Sequence, residues 1–192
     1  MKNEFRKKCI EERKQIPQAE KDKASEIVFN KLTSMDIYKK AESIFIYVSM
    51  KNEVSTVDII NKAFSDGKTV AVPISLDNRD MYFVKIDSLS DMVKTKLGIY
   101  EPVAVREDEI FPDDKTLLVA PGTAFDENGL RLGFGGGYYD TYIEKFKIKN
   151  TAALAFDIQI KKEIPYESHD KTMNCVITEK RTIGGGINEQ VD

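Results

Sequence analysis

The sequence predicts an α/β protein in which buried strands alternate with helices along the chain. Three observations indicate this class: short apolar runs rich in β-branched residues, helical periodicity between those runs, and a length of 192 residues, which suits one domain. No internal repeat or linker divides the chain. We therefore expect one domain over residues 1–183 and a flexible, polar tail over residues 184–192, whose triple glycine is more typical of disorder than of a second phosphate loop.

The N-terminal part alternates between the two periodicities. Apolar residues at helical spacing predict the helices, and Pro17 and Gly67 are expected to end two of them. Ser55 or Thr56 can cap the third helix, and Pro73 is expected to stop the second strand. In chain order, the expected elements are a helix over Lys2–Ile16, a helix over Gln18–Met35, a strand over Ser43–Val48, a helix from about Thr56 to Gly67 and a strand over Thr69–Val72.

The C-terminal part continues with strands and a single helix. Asp126-Glu-Asn-Gly129 is typical of a tight turn, because Asn-Gly tolerates positive φ. The expected elements are strands over Met81–Ile86, Thr116–Ala120, Thr151–Phe156 and Asn174–Thr178 and a helix over Tyr138–Phe146.

Composition excludes several classes of function. Lys and Arg total 29 against 32 for Asp and Glu, so no basic excess indicates a nucleic-acid binder. No apolar run approaches the length of a membrane span, and the charged N-terminus does not read as a secretory leader. Cys9 and Cys175 are expected to be small buried hydrophobes, and His169 alone cannot build a histidine metal site. We expect a cytoplasmic monomer or small homo-oligomer with small-molecule substrates and neither nucleic-acid nor membrane partners.

The segment Arg131-Leu-Gly-Phe-Gly-Gly-Gly-Tyr-Tyr-Asp140 is the strongest candidate site. Glycines directly before a helix let backbone N–H groups converge on an anion, and the helix N-terminus favours negative charge. Arg131 could add a cation, and Asp140 could hold a metal ion against phosphates. Neither the Walker A motif nor the dinucleotide fingerprint matches. From spacing alone, a tight strand-to-helix turn with no ligand remains almost as good an interpretation.

Other polar residues are weaker candidates. Lys2 and Arg6 are four residues apart and share a helix face, although such a pair is usually solvated. Glu53 follows a strand at the position where ligand-binding loops lie in parallel sheets. Asp157 and Asp170 flank strands and could complete a metal site, but their spacing does not single them out.

The order of these motifs resembles a known family. The segment Pro121-Gly-Thr-Ala-Phe-Asp-Glu-Asn-Gly-Leu-Arg-Leu-Gly-Phe-Gly-Gly-Gly-Tyr-Tyr-Asp140 is similar to the signature of 5-formyltetrahydrofolate cyclo-ligases, also called methenyltetrahydrofolate synthetases. The resemblance continues through Lys2-x-x-x-Arg6, Ser49-Met-Lys-Asn-Glu53, Gly98-Ile-Tyr-Glu-Pro102 and His169-Asp170 and covers nearly the whole chain.

The resemblance implies a three-layer α/β/α fold with a mixed, largely parallel sheet, similar to the isomerase and CoA-transferase superfamily. It also implies a reaction in which ATP, with Mg²⁺, converts 5-formyltetrahydrofolate into 5,10-methenyltetrahydrofolate, ADP and phosphate. Arg131 and Asp140 would be the catalytic residues, and Asp140 and Asp170 would hold Mg²⁺. The implied ATP-binding residues are Lys2, Arg6, Arg131, Leu132, Gly133, Phe134, Gly135, Gly136, Gly137, Tyr138 and Tyr139. The implied folate-binding residues are Val48, Glu53, Phe134, Gly135, Gly136, Gly137 and Tyr138.

Four residues depart from patterns seen in the family. Phe134 and Gly136 stand where certain relatives carry basic residues, Thr141 stands where an Arg often follows the aspartate, and Asn174 occupies a position that can be acidic. Two other interpretations stay open from the sequence alone. One is a sugar-phosphate isomerase on a related scaffold, and the other is a nucleotide- or folate-binding module without catalysis.

Overall fold

The computed structural model describes residues 1–76, 78–94, 100–167 and 170–184. Its helices are α1 (Lys2–Lys14), α2 (Gln18–Ser34), α3 (Asp36–Lys39), α4 (Val57–Ser65) and α5 (Tyr138–Phe146). Its strands are β1 (Ser43–Ile46), β2 (Thr69–Ser75), β3 (Met81–Ile86), β4 (Met92–Lys94), β5 (Tyr100–Pro102), β6 (Glu109–Ile110), β7 (Thr116–Ala120), β8 (Ala124–Asp126), β9 (Arg131–Leu132), β10 (Asn150–Leu154), β11 (Ile160–Lys161), β12 (Cys175–Ile177) and β13 (Thr182–Gly184).

Across the described ranges, eight strands form one sheet in the order β13-β12-β10-β7-β1-β2-β3-β6. The five strands from β12 to β2 pair in parallel, and β13, β3 and β6 are antiparallel additions at the two edges. The parallel strands are the continuous apolar runs, since a strand covered on both faces needs apolar side chains on both. The predicted mixed, largely parallel sheet is confirmed.

Helices cover both faces of this sheet, which confirms the three-layer arrangement. Ile44 and Ile46 of β1 pack in one apolar cluster with residues of α2, α3 and α4. Phe45, between them, points to the other face and packs in a second cluster with Tyr142 and Ile143 of α5. This alternation follows from the two-residue period of a strand. The likeness to the isomerase and CoA-transferase superfamily stays a prediction.

A small sheet, β11-β8-β9, carries the chain into the glycine segment. The predicted turn joins β8 to β9: Asp126 Oδ1 accepts hydrogen bonds from Asn128 N (2.9 Å) and Leu130 N (2.8 Å), and Gly129 has φ +81°. The turn therefore fixes where β9 begins, and β9 delivers Arg131 and Leu132 to the start of the glycine segment.

Several expected boundaries were wrong. Pro73 does not stop β2, which continues to Ser75. Its missing N–H is tolerated because the pairing of β2 with β1 has already ended at Ala71, so only β3 lies beside Pro73. The second helix ends at Ser34, and a short separate helix, α3, follows it.

The C-terminal boundary also shifts slightly. Gly184, which we expected at the start of the tail, is the last residue of β13 and pairs with Cys175. A Cβ at this position would lie 2.2 Å from the carbonyl oxygen of Asn174, and φ is +70°, so only glycine fits. Residues 185–192, with the rest of the expected tail, lie outside the described residues. None of the described helices has the length and apolar character needed to span a membrane.

Candidate functional site

The candidate residues gather beyond the carboxyl ends of the central parallel strands, where open α/β sheets bind ligands. The segment that follows β1 carries Glu53, and the segment that follows β7 leads through β8 and β9 to the glycines. Helix α1 lies across this end. Its Arg6 bonds to Gly133 of the glycine segment, and its Lys2 bonds to Asp170, which precedes β12. The topology therefore brings residues from both ends of the chain to one place.

The glycine loop, residues 133–137, approaches two arginines closely. Gly135 (φ +110°) and Gly137 (φ +72°) adopt backbone conformations that favour glycine. A Cβ on Gly135 would lie 3.7 Å from the Arg6 guanidinium, and one on Gly137 would lie 3.5 Å from the Arg79 side chain. Gly137 is the N-cap of α5, and no side chain caps that helix. The first-turn N–H groups of α5 therefore suit an anionic ligand.

Arg131 and Asp140 form a buried ion pair beneath the loop. Arg131 Nη2 lies 2.8 Å from Asp140 Oδ1, and the two residues are only 2% and 7% exposed. Arg131 Nη1 also donates to the carbonyl oxygen of Pro121 (3.0 Å), and a Cβ on Gly133 would lie 3.0 Å from the same nitrogen. Arg131 thus supports the loop from below rather than facing open solvent.

Helix α1 supplies two further cations. Lys2 Nζ lies 2.7 Å from Asp170 Oδ2 and 3.6 Å from a carboxylate oxygen of Glu167. Arg6 Nε donates to the carbonyl oxygen of Gly133 (2.9 Å), so the helix is attached directly to the glycine loop. These residues enclose a cleft of about 340 Å³, lined by Met1, Lys2, Asn3, Arg6, Arg79, Gly133, Gly135, Gly137, Asp140, Glu167 and Asp170.

Two carboxylates in this cleft suit a hard divalent cation. Mg²⁺ is usually held by one or two carboxylates together with substrate phosphates and waters. Asp140 and Asp170 line the same cleft and offer that donor set, although the described residues contain no group of three or more candidate metal ligands. Asp157, the other carboxylate considered, instead binds Arg181 (2.8 Å) and does not line the cleft. His169 lies outside the described residues.

Glu53 occupies a second, adjoining region. Reciprocal bonds between Ser49 and Thr56 (3.0 and 3.1 Å) close the loop that carries it, and Glu53 Oε2 accepts a bond from Met50 N (2.9 Å). Burial raises the pKa of Glu53, while the Met50 N–H and the positive charge of Arg13 oppose the rise. This carboxylate is therefore partly desolvated and suited to binding the N–H groups of a ligand.

Arg13 links this region to the glycine loop. It is 5% exposed, its guanidinium lies 5.5 Å from the centre of the Phe134 ring, and Nη1 donates to the carbonyl oxygen of Gly122 (3.4 Å). Burial lowers the pKa of Arg13, and the charge of Glu53 raises it. Arg13 was not among the predicted residues, although its position seven residues after Arg6 places both on one helix face.

Tyr139 and Val48 extend the Glu53 region at the edge of the larger apolar cluster, against which both side chains pack. Burial raises the pKa of the Tyr139 hydroxyl, and the charge of Glu53 adds to this effect. The side chain of Leu132, a predicted ATP-binding residue, is fully buried beside Cys9 and Ile164, so only its backbone is available to a ligand.

Known proteins resemble this chain over most of its length. The profile of the 5-formyltetrahydrofolate cyclo-ligase family matches residues 1–179. The chain belongs to this family. Relatives include the mouse 5-formyltetrahydrofolate cyclo-ligase, 33% identical over 171 residues (83% of this chain and 84% of the relative), and a probable cyclo-ligase of Schizosaccharomyces pombe, 30% identical over 179 residues (84% and 87%). The solved structure of the Aquifex aeolicus 5,10-methenyltetrahydrofolate synthetase superposes with a TM-score of 0.82 at 26% identity and covers 100% of this chain and 96% of that one.

Membership of the cyclo-ligase family confirms the resemblance and the predicted enzyme class, and it disfavours the sugar-phosphate isomerase interpretation. The structure also locates the departures from the family pattern. Asn174 lies away from the cleft, at the amino end of the parallel strands, where its Oδ1 accepts bonds from Thr151 N (2.7 Å) and Oγ1 (2.9 Å). Thr141 is an exposed residue of α5, and Phe134 is the ring beside Arg13. Asn174 and Thr141 are therefore not among the residues that enclose the cleft.

Proposed function

We propose that this chain cyclises 5-formyltetrahydrofolate to 5,10-methenyltetrahydrofolate in an ATP- and Mg²⁺-dependent reaction that releases ADP and phosphate. The observation that carries the proposal is the cleft itself: in a member of the cyclo-ligase family, a glycine loop at a helix N-terminus lies beside the cations of α1 and next to the Glu53 region. Such a cleft suits a polyphosphate, and the adjoining region suits a flat, polar ring.

The reaction needs alignment more than a covalent nucleophile from the protein. The formyl group on N5 is amide-like and a poor electrophile. Transfer of the γ-phosphoryl group of ATP to the formyl oxygen turns that oxygen into a leaving group, N10 of the same folate then attacks the formyl carbon, and phosphate departs. Phosphoryl transfer depends mainly on positioning and on stabilisation of the developing charge, and the attacking nitrogen is already tethered to the electrophile.

In this proposal, the cleft binds the nucleotide and the Glu53 region binds the folate. The loop amides of residues 133–137, together with Lys2 and Arg6, hold the phosphates. Asp140 and Asp170 would hold Mg²⁺, which would neutralise phosphate charge when bound. Arg131, beneath the loop, holds the Asp140 carboxylate in position through their ion pair.

Glu53 binds the folate in this scheme. An ionised carboxylate can accept hydrogen bonds from the amino-pterin ring, and such charge-assisted bonds are stronger than neutral ones. Arg13 favours the ionised form of Glu53 and at the same time supports Phe134. Phe134, Tyr138 and Tyr139 offer aromatic surface at the boundary between the two regions.

The decisive experiment is a spectroscopic assay of methenyltetrahydrofolate formation from 5-formyltetrahydrofolate, with and without Mg-ATP. We expect product only when Mg-ATP is present, with one ADP formed per product. Arg6→Ala should reduce the rate, whereas Lys7→Ala, an exposed neighbour on the same helix, should not. Binding of both ligands without turnover would favour a binding module, and product formed without ATP would refute the proposed chemistry.

A further inference from the structure

The hairpin that joins β2 to β3 has an unusual residue at its tip. Asn78 and Arg79 both have positive φ, at 61° and 64°. The hairpin is closed below them by a bond from Leu76 N to the carbonyl oxygen of Asp80 (2.8 Å). Asparagine tolerates this conformation, but an arginine in it is uncommon and strained, and glycine would relieve the strain. Arginine at position 79 is therefore unfavourable for the turn itself.

The strained arginine lies at the nucleotide cleft. Arg79 lines this cleft together with Arg6 and Gly137. Its Cδ, Nε and Cζ atoms lie 3.5, 3.7 and 3.9 Å from the point that a Cβ on Gly137 would occupy. Since Gly137 is the N-cap of α5, the Arg79 side chain lies beside the N–H groups that suit an anion.

Two contacts hold the hairpin in this position. The Tyr138 hydroxyl, at the start of α5, donates to the carbonyl oxygen of Leu76 (3.0 Å). On the other side, Arg106 Nη1 donates to Asp80 Oδ2 (2.8 Å). The hairpin is thus attached to the first residue of α5 on one side and, on the other, to the segment that precedes the edge strand β6.

The other cations of the cleft are already engaged within the described part of the chain. Arg131 is buried against Asp140, Lys2 is paired with Asp170, and Arg6 donates to Gly133 and Asn3. The glycine loop itself contains no Lys or Arg. Within the described ranges, no hydrogen bond or ion pair occupies the guanidinium of Arg79, so it is the cation best placed to meet additional negative charge.

We propose that Arg79 binds the polyphosphate of the nucleotide, reaching across from the β2–β3 hairpin to the N-terminus of α5. This inference rests on the proposed ATP-dependent function. It explains why a strained arginine stands at a turn position that glycine would fill without strain: a guanidinium and the loop amides can bind the same phosphate oxygens from two sides.

The test compares Arg79→Gly with Arg79→Lys by calorimetric titration of Mg-ATP and by initial rates. Arg79→Gly removes the cation but suits the turn, so its melting temperature should equal or exceed that of the wild type. We expect its Kd and KM for ATP to rise about ten- to hundredfold, as for the loss of a charged hydrogen bond. KM for 5-formyltetrahydrofolate should stay unchanged. Arg79→Lys should recover part of the affinity as a point charge. Lys85→Ala, an exposed cation farther along β3, is the matched control and should bind as the wild type.

The possible outcomes distinguish a failure of the proposed role of Arg79 from a failure of the proposed ATP-dependent function. If the wild type binds Mg-ATP and Arg79→Gly binds it equally well, the role of Arg79 is refuted while the proposed function stands. Equal losses for ATP and for the folate would indicate a general disturbance of the site and would also refute it. If the wild type shows no affinity for Mg-ATP, the proposed function fails and the role of Arg79 fails with it.

Discussion

The Arg131–Asp140 ion pair provides the sharpest test of how the glycine loop is held. Asp140→Asn leaves the guanidinium of Arg131 buried without a charged partner. Arg131→Met likewise leaves the carboxylate of Asp140 buried without a cation beside it. Removing one partner of a buried pair typically costs about 3–5 kcal/mol, against a total stability of roughly 5–15 kcal/mol. For a chain of this size, the loss corresponds to a decrease in Tm of roughly 6–20 °C.

A double-mutant cycle isolates the pair itself. The double variant has no orphan charge, so its cost should be smaller than the sum of the single costs by about 2 kcal/mol or more. Urea unfolding followed by circular dichroism measures each corner of the cycle. The exposed i,i+4 pair Asp36–Lys40 is a matched control: its side chains are 62% and 70% exposed, so solvent screens the pair and its coupling should be close to zero. A coupling for Arg131 and Asp140 as small as that of the control would refute the structural role.

The same variants separate support of the loop from direct catalysis. Measured well below their melting temperatures, both should lose turnover, because each breaks the arrangement that positions Asp140. If Arg131 also stabilises developing phosphate charge, Arg131→Met should lose roughly 10²–10³-fold, more than Asp140→Asn. Near-wild-type turnover for Arg131→Met would exclude both roles.

Three further predictions concern Glu53, Asp170 and Asn174. Glu53→Gln should raise KM for 5-formyltetrahydrofolate in steady-state assays. Burial raises the pKa of Glu53 above 4.5, so the folded protein favours the protonated carboxyl group. The resulting contribution to the free energy of unfolding is complete below pH 4.5 and is lost as the pH rises through the raised pKa. Glu53→Gln should therefore unfold at higher urea than the wild type at neutral pH and lose that advantage below pH 4.5. Asp170→Asn should increase the Mg²⁺ concentration needed for half-maximal turnover, and an unchanged titration would contradict its assignment as a metal ligand. Asn174→Ala should lower the free energy of unfolding by about 1–3 kcal/mol through its lost bonds to Thr151 while leaving turnover unchanged.

The parts of the fold that local signals determine could be predicted from the sequence. The bounds of β3, β7 and α5 agree with the predicted ranges, because each is a short apolar strand or an amphipathic helix between clear turn residues. The prediction failed at Pro73 for a tertiary reason. Whether a proline ends a strand depends on which neighbour needs its N–H, and the sequence does not reveal where the pairing with β1 stops.

The candidate site was predictable only in part. Spacing indicated an anion-binding loop, and the grouping of Lys2, Arg6 and Asp170 around it required the family resemblance. Burial of Arg131 was not predictable, since an arginine at the edge of a loop reads equally as a solvent-facing cation. Arg79 gave no signal in the sequence, because its importance comes from the backbone conformation of a turn and from the fold that places this turn beside Gly137.

Lys2 and Arg6, which supply positive charge to the cleft, also attach helix α1 to the rest of the protein. This helix buries Cys9 and Arg13, and Phe5 is partly buried against the apolar cluster that contains Cys9 and Leu132. Polar contacts add to this packing, from Lys2 to Asp170 and from Arg6 to Gly133 at the site, and from Glu12 to Lys161 farther along the helix. A nucleotide that contacts Lys2 and Arg6 would bind only when α1 is docked. A ligand that binds one state of a protein alone stabilises that state by RT ln(1 + [L]/Kd). Attachment of α1 and binding of the polyphosphate are therefore expected to be coupled, with each strengthening the other.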